Sequence, residues 1–426
     1  MMKKLCVLLT CLLIMPMLLS ASKDAYIEQT NEARTSEFYH TDNPGAEARL
    51  PAARDRVATT SGRQTWETYA SLPTTLGYNA SAYSDATGTP TVYAPGGTIS
   101  TSTLNGEITI HAFNCNTETW STLSTTLNHG VYRHAAATVN GKIYIVGGSD
   151  GVTSYSTWNQ EFDPVAGTVT DRAALPVGRY FLSAVGWNDT LLYVLGGQGT
   201  TYYNRVDIYD PASNTWTTGT NMPTTNRSFA CGISGDTIYY TGGYSTTLYQ
   251  SASYMGIINP ADPTSITWTQ IDDIPIGTSG LAGRSRVQGA CIGGYFYFTG
   301  GDDHGSANPA YDCWYYDPAS TDWVQMPDKP TPISNSQCAV GVPPLDNGTF
   351  MCTGGYNTLV GAACADVEGL IDLGGAAGPI TFDFETGLQG WTHTNGLAFP
   401  AGWDVEVWNV NNHLTATSPS PGDSSM

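Results

Sequence analysis

Six short runs decide the fold: TVYAPGG (91–97), KIYIVGG (142–148), LLYVLGG (191–197), TIYYTGG (237–243), YFYFTGG (295–301) and FMCTGG (350–355). Most are rich in aromatic and β-branched residues, the make-up of a strand packed on both faces, and each stops at two glycines. The first glycines are Gly96, Gly147, Gly196, Gly242, Gly300 and Gly354, spaced by 51, 49, 46, 58 and 54 residues. A second marker keeps step with the first: Trp120, Trp216, Trp268 and Trp323 follow four of these pairs by 20 to 26 residues. Three units also carry an aromatic–acid–proline phrase before that place, EFDP (161–164), IYDP (208–211) and YYDP (315–318); after the first, Val169 stands where a Trp is expected. Asp-Pro ends a strand, because proline fixes the turn and withholds a donor. A period near 50 marks one supersecondary unit that buries its apolar faces only by stacking on neighbours.

The ends of the array can be read as well. The sixth diglycine is followed by ADVEGLIDL (365–373) and GGAAGP (374–379), with no Asp-Pro and no Trp, whereas Trp66 in GRQTWETY has no unit upstream of it. The strand around Trp66 is therefore expected to complete the last sheet beside Ala365 to Leu370. That clasp joins the two ends and leaves no open sheet edge.

These motifs resemble the kelch repeat, whose unit is one four-stranded propeller blade. The resemblance covers residues 63–372 and implies an all-β fold, a six-bladed kelch-type propeller closed by an N-terminal strand. The WD40 pattern fits less well, since its period is shorter and no Trp-Asp ends the units. Composition agrees: charged residues are only 13% of the 426, while Gly numbers 47 and Tyr 25. The formal charge of −20, with 17 basic residues against 37 acids, excludes the basic face that nucleic-acid binding needs.

Outside the ring, residues 1–22 read as a signal peptide. Lys3 and Lys4 precede the apolar run Leu5 to Leu19, and Ser20-Ala21-Ser22 offers a cleavage site. The expectation is export, to the periplasm, the cell surface or the medium, with no transmembrane segment in the mature chain. Residues 23–62 read as a poorly ordered lead-in and 373–380 as a Gly-rich hinge. Residues 381–426, opening on FDFETGLQGW, resemble the first strands of a jelly-roll module, incomplete as it stands. Seven cysteines beyond the leader show no CxxC pair, so most read as small buried hydrophobes; Cys352 and Cys364, which flank a hairpin, are placed to bridge.

Candidate binding residues cluster where the chain enters each innermost strand: Arg133, Arg179, Arg227, Arg284 or Arg286, Asn335 and Tyr78. Residues 63–372 hold ten basic residues, and five of them fall here. Guanidiniums around a pore would focus a positive potential and grip carboxylates. In kelch domains that bind acidic peptides, arginines at this place contact the ligand; the resemblance implies the same here, while structural pairing with loop acids stays equally open. The function expected is non-catalytic recognition of a glycan, an acidic ligand or a protein partner at the channel face. The alternative is a propeller enzyme acting on sugars, a sialic-acid mutarotase or epimerase or a glycosidase, for which Asp302, Asp303 and His304 are the acid–base candidates. Kelch-type copper oxidases require two His and two Tyr in tight array, which His111, His129, His134 and His304 do not offer. No cofactor and no metal is expected.

Overall fold

The structure, a computed structural model, describes residues 65–371 apart from 101–102, 247, 278–279, 281–282, 303–309, 336–337, 343–347 and 358–360, together with two later strands. Those two, Asp404–Val407 and Leu414–Thr417, pair antiparallel as a hairpin. The expected signal peptide, lead-in, hinge and the rest of the jelly-roll segment lie outside the described residues.

Six four-stranded antiparallel sheets make up the ring. Blade I holds Ala82–Ser84, Thr91–Pro95, Ile110–Asn114 and Thr119–Thr122; blade II holds Ala135–Val139, Lys142–Val146, Asn159–Asp163 and Thr168–Asp171. Blade III holds Ser183–Trp187, Leu191–Leu195, Val206–Asp210 and Thr215–Thr218; blade IV holds Ala230–Ser234, Thr237–Thr241, Ser253–Asn259 and Asp262–Ile271. Blade V holds Gln288–Ile292, Tyr295–Thr299, Cys313–Asp317 and Asp322–Met326. Blade VI takes Ala339–Val342, Thr349–Asn357 and Ala362–Ile371, and its fourth strand is Thr65–Thr68 from the other end of the ring. The first strands of successive blades lie side by side from I to VI, and that of VI lies beside that of I. Because both faces of each blade are covered, six apolar cores form, one at each seam; Tyr193, Phe229 and Tyr240 fill the one between III and IV.

The clasp forms as the sequence requires. Trp66 pairs with Leu370 in register, stands edge-on to Phe350 at 6.2 Å, and donates its indole N–H to the Pro327 carbonyl at 2.8 Å. The same bond recurs around the perimeter. Trp120 donates to Ala70 (2.9 Å), Trp216 to Ala173 (2.8 Å), Trp268 to Thr220 (3.5 Å) and Trp323 to Asp272 (2.8 Å). Each acceptor stands four residues beyond the marker position of the preceding blade, so every indole ties its blade to the one before. The one missing tie is at Val169. The cysteines, in contrast, stay unbridged: Cys352 and Cys364 are free thiols, opposite Glu368 and Gly355 rather than each other.

The diglycines make the inner joints. In every blade the second glycine donates its N–H to a carbonyl of the next blade. The pairs are Gly97 to Val131, Gly148 to Arg179, Gly197 to Asn226, Gly243 to Arg284, Gly301 to Ile333 and, closing the ring, Gly355 to Leu76, at 2.7–3.0 Å. That carbonyl lies where a Cβ on the first glycine would be. The approach would be 2.7 Å at Gly96, 2.6 Å at Gly147 and Gly196, and 2.4 Å at Gly300. All twelve glycines also have positive φ.

Gly196 and Gly235 share a φ of 55°, but a Cβ on Gly235 would meet nothing within 4 Å. Gly235→Ala should therefore lose only the backbone preference, about 1 kcal/mol. Gly196→Ala should lose at least about 2 kcal/mol more, since the neighbouring blade must move. Denaturant unfolding of the two variants checks this, and equal losses would show that the joint does not limit stability.

Candidate functional site

The carbonyl that meets the diglycine begins a three-residue turn into each blade's first strand, and the three positions have distinct fates. The first supplies the carbonyl: Leu76, Val131, Arg179, Asn226, Arg284 and Ile333. The second makes an isolated bridge to the residue after the diglycine of its own blade: Gly77 with Thr98, Tyr132 with Ser149, Tyr180 with Gln198, Arg227 with Tyr244, Ser285 with Asp302 and Ser334 with Tyr356. The third is Tyr78, Arg133, Phe181, Ser228, Arg286 or Asn335. The first five of these have φ between 52° and 58°, a left-handed turn that aims them toward the ring's interior. Their backbones form a hydrogen-bonded chain from blade to blade, Arg133 N–H to Tyr78 carbonyl, Phe181 to Arg133, Ser228 to Phe181 and Arg286 to Ser228, at 2.6–3.0 Å. Asn335 continues the circle toward blade I, its amide donating to the Asn79 carbonyl and side chain at 3.0 Å each.

The candidates read from the sequence as one repeated position therefore occupy three. Arg179 is corrected: it stands at the carbonyl position, 0% exposed, with Nη1 2.8 Å from the Asp207 carboxylate. Arg284 does the same, gripping Asp312 through both terminal nitrogens at 2.9 Å. These two are internal ties of blades III and V. Asn335 is buried and spent on Asn79. Tyr78, Arg133, Arg227 and Arg286 reach the inner rim.

At the rim the three guanidiniums differ. Arg286 is paired with Asp302 at 2.6 Å, and Asp302 also accepts from the Ser334 hydroxyl. Asp303 and His304 lie outside the described residues. Among the described residues, neither Arg133 nor Arg227 has a carboxylate within ion-pair distance; the Nε of each is buried without a hydrogen-bond partner, as is that of Arg286, whose Nη2 holds Asp302. Aromatic rings hold both. Arg133 lies over Tyr78 and Phe181 at 4.7 Å, Tyr132 at 5.1 Å and Tyr180 at 5.5 Å. Arg227 lies over Tyr244 at 5.1 Å, Phe181 at 5.2 Å and Tyr202 at 5.4 Å. Phe181 is thus shared, with a guanidinium from blade II on one side and from blade IV on the other. Tyr155 stacks on Tyr180 at 5.5 Å and extends the platform outward.

Apart from Tyr78, already a candidate, these aromatic residues are what sequence reasoning missed. One signal was present: the residue after the diglycine is Tyr in GGY at both 244 and 356. Next to Arg133, His134 is wedged between the diglycines of blades I and II and is 1% exposed. Burial drives its pKa down to about 4, the Pro95 carbonyl opposing. Among the described residues no group of three His, Cys, Asp or Glu is placed to hold a metal.

Comparison with known proteins agrees with this architecture. Residues 77–243 match the family described as KLHDC2/KLHL20/DRC7 Kelch-repeats domain. The chain is similar to Kelch-like protein terF of Aspergillus terreus, 29% identical over 255 residues, 55% of this chain and 53% of that protein. It is also similar to Kelch-like protein 35 of Mus musculus, 25% identical over 286 residues, 66% of this chain and 44% of that protein. The chain thus spans about half the length of these curated relatives. The solved structure of YjhT superposes with a TM-score of 0.56 at 14% identity, covering 70% of this chain and 95% of that one.

The placement of these side chains has two measurable outcomes. Arg179→Ala leaves Asp207 buried beside only Arg205 and should lower unfolding free energy by about 3–5 kcal/mol, whereas Arg133→Ala or Arg227→Ala should cost about 1 kcal/mol; chemical denaturation separates them. The folded protein resists protonating His134 down to about pH 4, while the unfolded chain takes up that proton near the ordinary histidine value of 6.5. Between those values the unfolded state holds more protons, so stability should fall by about 3 kcal/mol as pH drops from 6.5 to 4. His111, whose pKa burial also lowers, adds in the same direction. His134→Leu should flatten that slope in melts run across the range, and an unchanged slope would assign it elsewhere.

Proposed function

We propose that this chain, a six-bladed propeller of kelch repeats, is a binding module that holds an acidic segment of a partner protein at its inner rim. The observation that carries this reading is the pair Arg133 and Arg227. Their guanidiniums are desolvated on one side, flank Phe181, and have no carboxylate among the described residues. A buried guanidinium edge is costly unless a charged acceptor meets it, and a carboxylate matches its fork. The surrounding tyrosines supply rigid contact area and hydroxyls that need few torsions fixed.

An acidic glycan is the second reading, because Tyr155 stacked on Tyr180 at the rim offers a flat apolar face of the kind on which a sugar ring lies. The enzyme reading is weaker: Asp302, the one described acid among its candidates, is engaged with Arg286 and Ser334. The leader-like residues 1–22 support work outside the cytoplasm, at the cell surface, in the periplasm or in the medium.

Fluorescence anisotropy with labelled peptides tests the reading. Glu- and Asp-bearing peptides should bind more tightly than their Gln and Asn counterparts. Arg133→Ala and Arg227→Ala should each weaken binding about tenfold or more, the worth of one charge-assisted contact. Equal binding of acidic and amide peptides, or full retention in the double variant, would remove the acidic-ligand reading. A sialylated glycan that binds in place of peptides would favour the second.

A further inference from the structure

Five seams of the ring share an indole N–H donated to the preceding blade, and the seam between blades I and II lacks it; the adjoining seam between II and III, which adds polar contacts of its own, shows what can fill that space. Between blades II and III, Trp216 donates to the Ala173 carbonyl at 2.8 Å and Arg172 donates to the Tyr209 hydroxyl at 3.1 Å. At the same seam the Tyr144 hydroxyl donates to Glu161 at 2.7 Å, and the Asn214 amide oxygen accepts the Ala173 N–H at 2.8 Å. Strand register gives the matching places between blades I and II. Val169 stands for Trp216, Leu123 for Arg172, Ala112 for Glu161, Phe162 for Tyr209 and Gly167 for Asn214. Every exchange removes volume, a polar group or both. Together they leave a cavity of about 330 Å³, walled by Tyr93, Ala112, Asn114, Leu123, Ser124 and Phe162. That volume lies at the lower end of small-ligand sites.

We propose that this cavity is a binding site for an indole ring, which would take from outside the group that the other five seams supply from within. Three features of the seam specify that chemistry. First, the cross-strand partner is aromatic, as at three other seams. Trp120 packs on its cross-strand partner Phe113 at 5.2 Å, Trp216 on Tyr209 at 4.9 Å and Trp323 on Tyr316 at 5.4 Å. Phe162 is the cross-strand partner of Val169, and it lines the cavity. Second, the acceptor is in place. At the other seams the indole N–H reaches the carbonyl four residues beyond the preceding marker; four beyond Trp120 is Ser124, on the cavity wall. Third, the walls are tied to each other: the Thr125 hydroxyl of blade I donates to the Gly167 carbonyl of blade II at 2.7 Å, and Tyr93 meets Phe162 edge-on at 5.4 Å. A ring entering this seam meets Phe162, only 1% exposed until neighbouring side chains shift, together with an apolar flank at Leu123 and the Ser124 backbone.

The ring's source is either a free indole compound or the tryptophan side chain of a polypeptide, and fluorine NMR distinguishes them. The probes are 5-fluoroindole and the N-acetyl amide of 5-fluorotryptophan, each titrated with the whole protein. The wild type should broaden and shift the probe resonance. Val169→Trp, which fills the seam from within and restores the indole–carbonyl tie, should weaken that response at least tenfold while raising the melting temperature. Ala112→Glu, which narrows the cavity from the blade I side, should weaken it likewise and decides the matter if the first variant does not fold. A response from both probes admits a tryptophan side chain; a response from 5-fluoroindole alone confines the site to free indole compounds. No response from either probe, or one that survives in the folded variants, overturns the proposal.

Discussion

One hydrogen bond repeated six times sets the geometry of the ring: the N–H of a second glycine donating to a carbonyl of the next blade. It demands two residues without Cβ, because the acceptor occupies the first glycine's side-chain volume and both glycines sit at positive φ. The same bond constrains the two residues after the carbonyl. The nearer one must bridge back to its own blade, and the farther one must turn left-handed toward the interior. The inner rim is therefore a consequence of the joint: the backbone of the turn repeats, while the side chains on it differ from blade to blade.

The outer perimeter obeys a separate rule. There the ties are indole N–H groups reaching back to the preceding blade, and the apolar plate beneath each one closes the outer end of a seam. Inner joint and outer tie run in opposite directions along the chain, so each blade is held from both sides by its neighbours. The ends of the ring are joined by both rules at once, Gly355 to Leu76 inside and Trp66 to Pro327 outside. Where the indole tie is missing at Val169, the Thr125 hydroxyl on the Gly167 carbonyl joins blades I and II at the perimeter, and the inner joint Gly97 to Val131 joins them inside.

How legible each feature was in the sequence tracks how local its cause is. Glycine pairs and tryptophans are imposed by contacts that recur around the ring, so their spacing alone placed six sheets and set the Trp66 strand beside residues 365–370. The arginines were read as one position because each follows its unit's Trp place by roughly a dozen residues, from 10 at Arg179 to 18 at Arg286. In a turn that reverses direction at each step, two residues separate a buried ion pair from the rim. Arg179 begins the turn four residues before Ser183, the start of its strand, whereas Arg133 stands two before Ala135; counting back from the strand start would have divided them. The aromatic box could not be read in the same way. Tyr132, Tyr180, Phe181, Tyr202 and Tyr244 join Tyr78, the one member read in advance, from four consecutive blades, and only blade stacking brings them around two guanidiniums.

For the acidic-ligand reading proposed above, the charge of the whole molecule narrows what the rim would select. With a formal charge of −20, the protein repels an extended polyanion at a distance, and long-range steering toward the rim is absent. Attraction begins only within roughly 10 Å, where screening leaves the nearest guanidiniums dominant. A ligand with its negative charge confined to one or two carboxylates, on an otherwise neutral and partly aromatic segment, avoids most of that repulsion. It still meets Arg133 and Arg227 on either side of Phe181. A long acidic tract gains the same two contacts and carries the remaining charge against the acidic surface, so compact charge is the feature this site favours.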